Sequence, residues 1–417
     1  MQIRLCAAVA AAVLGAGLIT VPASAATEPL KEGDSQMVAY SFKPGMIKAG
    51  RTAKDNAALS RFDGVLTVPK APGKHPVAVI VHGSYANCVW YGHGQQIAQD
   101  ANTVAWPEAC GTKKPSERNG FSSGADHVRH EAGFAYLAKH LADRGIATVA
   151  IDVSTKDALW TGSIDRDKAQ SLLVDEHLRL LKDLDAGKEH GIKLPASVKG
   201  RLDLSRVALV GHGSGATWAA EQWNRGALPG LKAAVALQPV VQPSLRTTKA
   251  TTPIMYLGGE CDEQAKISGV AKYAAEAGKY APNAPIVFGT SGHTTHAGLV
   301  GGLDSHKIGL VRPVKTPGCA DGKLLPKKDM RGQNAQVVGD FLTKALTGSA
   351  DYSFGIGEKS PVEMKAITEA AKVKTHKVSK LPQDISARSV NFQQIDEQFL
   401  PALPAGVKIH TSDLQRD

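Results

Sequence analysis
Apolar runs of two kinds alternate along the chain, one with the period of a buried strand and one with the period of a helix. Val65-Leu66-Thr67-Val68 and Val77-Ala78-Val79-Ile80-Val81 predict strands, with a turn between Pro69 and His75. The second run is continuous and β-branched, the pattern of a parallel strand covered on both faces. Phe134, Leu137, Ala138 and Leu141 fall on one helical face that stops at Gly145. Ile146–Val153 then reads as a strand, and a helix over Ala169–Leu184 turns Leu173, Leu180, Leu181 and Leu184 inward.

The alternation continues with strands at Arg206–Gly211, Lys232–Leu237, Pro253–Leu257 and Pro285–Phe288, and helices at Gly215–Asn224, Ala265–Lys279 and Gln333–Leu346. Strands that alternate with helices predict βαβ crossovers, and so an α/β protein with a doubly wound, mostly parallel sheet and helices on both faces. Ligands in such sheets bind beyond the carboxyl ends of the strands. Before this region, Met37–Phe42 reads as an edge strand. Residues 84 to 128 form a long irregular segment with Trp90 and Trp106, long enough to be a functional loop. After Gly348 the apolar residues lose their period, and Lys372, Lys374, Lys377 and Lys380 run among prolines. This tail packs through Phe392, Phe399 and Leu400 or hangs free; the pattern does not choose.

The first residues change the picture of where the chain works. Arg4 precedes an apolar stretch from Leu5 to Val21, which ends at Pro22-Ala23-Ser24-Ala25. A positive start, a short apolar core and an A-x-A-like end predict a secretory signal over residues 1–25. The domain then spans 26–348 and an extension of unknown role spans 349–417. No later run reaches membrane-spanning length, so the expectation is a secreted protein, extracellular or attached to the cell wall, with no transmembrane segment. Removing Arg4 lowers the formal charge from +10 to +9. The basic residues are scattered and not interleaved with aromatics, which argues against nucleic acid and leaves contact with an anionic cell surface open. Cys88, Cys110, Cys261 and Cys319 remain after the signal. An even set in an exported chain predicts two disulfides, and Cys88–Cys110 with Cys261–Cys319 would each close a long loop.

Four strand ends carry the chemistry. His82-Gly83-Ser84 follows the second strand, and Gly211-His212-Gly213-Ser214-Gly215 follows Val207–Val210. Glu260-Cys261-Asp262 follows Ile254–Leu257, and Gly292-His293-Thr294-Thr295-His296 follows Ile286–Phe288. Backbone donor, nucleophile region, acid and histidine thus stand in the chain order of an α/β hydrolase. On these residues the chain resembles the α/β-hydrolase superfamily. Pro76–Gly83 looks like its oxyanion strand, and Leu202–His212 like the strand entering its nucleophile elbow. More narrowly it is similar to secreted actinobacterial hydrolases related to chlorophyllases and dienelactone hydrolases. These share a Cys-bearing loop after the oxyanion strand, a Cys-Asp pair at the acid position and a later Cys before the last helix. The resemblance covers roughly Phe62 to Leu346.

The resemblance implies a carboxylic ester hydrolase that works through an acyl-enzyme on a small-molecule or polymeric ester, with no cofactor. Ser214 would be the nucleophile, His293 its base and Asp262 the acid that orients the base, with His296 the alternative base. Backbone N–H groups of Ser84 or Tyr85 would form the oxyanion hole. The elbow departs from the family pattern Gly-His-Ser-x-Gly, because Gly213 stands where the nucleophile belongs. Gly211 and Gly215 supply the two small residues that such a turn needs around Gly213. Two readings follow. Either the turn opens and presents Ser214, or Ser214 only begins the next helix and the protein is a catalytically inactive binding protein on the same fold. Asp262 has a second role open to it, capping the helix near Gln264. Trp90, Trp106 and Trp160 line the pocket or cover the sheet. His293 with His296 has no third ligand in view, and nothing fixes Asp126, His127 and His130 as one ligand set, so no metal is expected.

Overall fold
The computed structural model describes residues 33–47, 58–84, 126–154, 165–193, 197–240, 250–262, 264–301, 324–356, 360–374 and 403–412, with short pieces at 30, 88–90, 93–95, 156, 319 and 393–394. Ten strands form one sheet. They are β1 (Ser35–Ile47), β2 (Ala58–Pro69), β3 (His75–Val81), β4 (Ala147–Ile151), β5 (Leu202–His212), β6 (Leu231–Leu237), β7 (Ile254–Gly259), β8 (Ile286–Ser291), β9 (Val362–Ala366) and β10 (Ile409–Ser412). Their spatial order is β9-β8-β7-β6-β5-β3-β4-β2-β1-β10. From β8 to β4 every neighbour is parallel, while β2 meets both β4 and β1 antiparallel and β9 meets β8 antiparallel. The protein is therefore α/β, as the alternation predicts.

Side chains of the central strands alternate between two buried faces. Ala78, Ile80, Ala208, Val210, Val235 and Leu257 pack on one side, with helices α1 (Ala135–Asp143) and α5 (Lys327–Leu346). Val77, Val79, Val81, Val207 and Leu209 pack on the other, beneath α2 (Arg166–Asp185) and α3 (Ser214–Arg225). Ala234, Ala236, Tyr256 and Phe288 continue that second face under α3 and α4 (Ile267–Tyr280). Two faces covered by helices explain why these strands read as continuous apolar runs. The last turn of α3 ends where Gly226 takes a left-handed conformation (φ 59°), which glycine adopts without a Cβ penalty.

The ends of the sheet differ from the expectation. The first strand is longer than Met37–Phe42 and is not at the edge, because β10 pairs with it in parallel from Ala39↔Ile409 to Phe42↔Ser412. Its length comes from a hairpin-like antiparallel pairing with β2 that runs from Ser35↔Pro69 to Ile47↔Ala58, past an irregularity between Phe42 and Gly45. The tail also supplies the opposite edge, where β9 pairs with β8. Val362 and Met364 are buried while Glu363 and Lys365 are less so, a period-two alternation too short to stand out from its lysine-rich surroundings. Residues beyond 348 thus contribute both outer strands of the same sheet. Phe392, Phe399 and Leu400 lie outside the described residues, as does the proposed signal at 1–25. Among the described residues, no helix is long and apolar enough to cross a membrane.

Candidate functional site
The elbow between β5 and α3 is tight, and its glycines show why. A Cβ on Gly211 would stand 2.2 Å from the Gly215 carbonyl oxygen, and one on Gly215 would stand 2.4 Å from that of His82. Neither position admits a side chain without moving backbone. Gly213 lies between them with φ 60° and ψ −125°, a conformation costly to any other residue. It therefore occupies the apex of the strand-to-helix turn. The Gly213 N–H donates to the Leu237 carbonyl (3.0 Å).

Ser214 is the first residue of α3 rather than its cap, and no side chain caps this helix. Its hydroxyl reaches across to the Ser84 hydroxyl at 2.8 Å. The hydrogen bond recorded for Ser214 Oγ goes to Ser84, and it goes to neither His293 nor His296. Lys156 Nζ in turn lies 3.2 Å from the Ser84 hydroxyl oxygen, within hydrogen-bond distance. Lys156 is only 3% exposed, unusual for a lysine. It sits on the turn after β4, where its N–H donates to Val153 and where Asp152 Oδ1 accepts from the Ser154 N–H (2.8 Å). The same turn is tied to the end of β3, since the Val153 N–H donates to His82 Nε2 (2.9 Å). Three strand ends, those of β3, β4 and β5, thus meet in one corner.

The other half of the site stands at the ends of β7 and β8. Asp262, 1% exposed, accepts from the Gln264 and Ala265 N–H groups, both at 2.7 Å, and from His296 Nδ1 at 2.9 Å. The capping role and the histidine-orienting geometry coexist in one carboxylate. A carboxylate oxygen accepts here, so His296 Nδ1 is the donor of the contact. The histidine that meets Asp262 is His296, the alternative base, and not His293. The backbone explains the choice. His293 takes a left-handed conformation (φ 54°), and its N–H donates to Glu260 Oε2 (3.0 Å). The chain then runs on to His296, which leads into a short 3-10 turn at Ala297–Leu299.

His212 connects the two halves. Its ring lies 4.4 Å from that of His296, one residue before the apex. Burial, and then the neighbouring His296, hold His212 well below the ordinary histidine pKa, so it is neutral. Gln238 fixes it, its Oε1 accepting from His212 Nε2 at 2.9 Å while its amide N–H donates to the Thr295 carbonyl at 3.2 Å. Cys261 and Cys319 form a disulfide beside Asp262, with Cα atoms 5.4 Å apart. Glu260, Cys261 and His293 bring possible ligand atoms within 4.8 Å of one another. The Cys261 sulfur is committed to the disulfide, so that group offers two ligands and not the set a structural metal needs.

Tyr85, Cys110, Trp106 and Trp160 lie outside the described residues, and of Cys88 and Trp90 only the backbone strand is described. Sequence reasoning did not single out Lys156 or Gln238. Neither carries a motif, and only the meeting of several strand ends gives them a role. In comparisons with known proteins, no family model matches the chain and no curated protein matches it.

Proposed function
We propose that the protein is an exported carboxylic ester hydrolase on an α/β-hydrolase fold, with Ser214 as its nucleophile. The strand order, the two helical layers and the sharp β5–α3 elbow support the fold. The pair of cysteines at disulfide distance supports export, since such bonds persist in oxidising compartments. The observation that carries the activity is the direction of Ser214: its hydroxyl turns away from its own helix to Ser84, in the corner where the ends of β3, β4 and β5 converge. Backbone N–H groups of the first turn of α3, which no side chain caps, suit a developing oxyanion.

In this reading Ser214 Oγ adds to the ester carbonyl, the C–O bond to the alcohol breaks, and an acyl-enzyme remains. Water then attacks the acyl group. His296, oriented by Asp262, takes the water's proton and returns it to Ser214 as the acyl–Oγ bond breaks. Short-chain nitrophenyl esters test the reading. The expected result is a burst of nitrophenol followed by slower turnover, with both abolished in Ser214→Ala. Equal rates in the two proteins would overturn it.

A second reading rests on Gly213. With no side chain at the apex and Ser214 bonded to neither histidine, the strand ends would hold an acyl or carboxylate ligand without forming a covalent bond. The absence of any burst, together with saturable binding of a non-hydrolysable ester analogue, would favour it.

A further inference from the structure
The group that the Ser214 hydroxyl meets is the Ser84 hydroxyl, with the Lys156 amine behind it. We infer that Lys156, acting through Ser84, accepts the proton of Ser214 when it attacks. The inference rests on the hydrolase reading and supplies the base that this reading leaves open.

Three observations carry it. The chain Ser214 Oγ–Ser84 Oγ–Lys156 Nζ has links of 2.8 and 3.2 Å, both within proton-transfer distance. Ser84 can both accept and donate, because a hydroxyl carries one donor and two acceptor lone pairs. Lys156 is enclosed by protein, and enclosed lysines are the ones recruited as general bases. Serine nucleophiles served by a lysine are a known solution to acyl transfer. The turn that carries Lys156 is held by the Val153 N–H, which donates to His82 Nε2 at 2.9 Å, and by Asp152 Oδ1, which accepts from the Ser154 N–H at 2.8 Å. Ionisable groups near this corner include Asp152, His82, His130, whose ring lies 5.0 Å from that of His82, and Arg129, whose charge is coupled to Asp152 and Glu131.

The proton balance closes. As the Ser214 Oγ–C bond forms, the Ser214 proton passes to Ser84 Oγ and the Ser84 proton passes to the neutral amine of Lys156. When the ester C–O bond breaks, the ammonium returns a proton through the Ser84 hydroxyl to the leaving alkoxide. Lys156 ends the acylation step as it began, and His296 is left to handle the water of the second step.

The test is the rate at which a fluorophosphonate labels Ser214 in the full chain, with melting temperature as the folding control. Ser84→Ala and Lys156→Met should each slow labelling by about 10²–10³-fold, the usual scale of general-base assistance. The double variant should be no slower than either single one, because members of one relay do not add. Ser84→Thr keeps a hydroxyl and should label within tenfold of the parent protein. Lys156→Arg keeps the charge and the donors but cannot take a proton, and should be as slow as Lys156→Met. Labelling of Ser214 at the parental rate in Lys156→Met, or full rescue by Lys156→Arg, would overturn the relay and leave the hydrolase reading standing. No labelling of the parent protein would instead remove the reading itself.

Discussion

The two halves of the site are fastened in different ways. On the histidine side, Asp262 is fixed by its own neighbours in sequence: it accepts from Gln264 and Ala265 and follows a disulfide-bonded cysteine. On the serine side, Ser214, Ser84 and Lys156 follow three different strands, and only the sheet brings them together. The first half is local chemistry carried to the right place by the fold. The second half is produced by the fold, and would scatter if β3, β4 and β5 lost their register. Gly215 shows how closely that register is held, since a Cβ there would run into the His82 carbonyl.

The largest effect that separates the halves is expected from Asp262→Asn. The amide oxygen still caps Gln264 and Ala265, but the histidine loses its carboxylate partner. Steady ester turnover should fall by about 10³–10⁴-fold, while the initial burst from Ser214 survives. This is the reverse of Lys156→Met, which should suppress the burst. A single experiment, rapid-mixing hydrolysis of a nitrophenyl ester by both variants, would show whether the halves serve different steps. If both variants lose the burst equally, the division of labour is wrong.

This contrast also explains what could be read from the sequence. Acid and histidine follow strands β7 and β8 at short, regular spacings, so Asp262 and the pair His293 and His296 stand out from the chain alone. Which histidine meets Asp262 depends on the turn. The left-handed conformation of His293 and its bond to Glu260 decide it, and neither can be counted from spacing. Lys156 follows strand β4 without any motif, and its burial is a tertiary fact. The central strands were legible because burial on both faces leaves a continuous apolar run. Strand β9 was not, because five residues of period-two alternation within a lysine-rich tail carry too little signal.

A second way to sharpen the comparison is to loosen the histidine side alone. Replacing both Cys261 and Cys319 by serine opens a closure of 58 residues. The chain-entropy estimate for a loop of that length is about 4 kcal/mol. Urea denaturation should register a loss of that order, accompanied by slower turnover and an unchanged labelling rate at Ser214. A loss of labelling would mean that the two halves are coupled mechanically.

The smallest effect lies away from both halves and calibrates them. His177 is buried beside the Tyr40 hydroxyl, and burial pushes its pKa down to about 4. Its folded value lies below its unfolded value of about 6.5, so the unfolded chain binds the proton more readily. Its contribution is therefore complete above pH 6.5 and is lost as the pH falls towards 4. His212 shifts in the same direction, again chiefly by burial. Urea midpoints measured at pH 7, 5 and 4 should show a decline of about 3 kcal/mol from His177, reduced in His177→Gln. Activity lost over this range in the parent and retained in the variant would then be a matter of stability and not of catalysis.

The central claim is that Ser214, one residue past a glycine apex, is the nucleophile. Its most direct test is to treat the purified protein with a fluorophosphonate and map the adduct by peptide mass spectrometry, with Ser214→Ala in parallel. The account expects one adduct on the peptide containing Ser214 and none in the variant. An unmodified Ser214, under conditions that modify a known serine hydrolase completely, would contradict it and favour a binding protein with Gly213 at its centre.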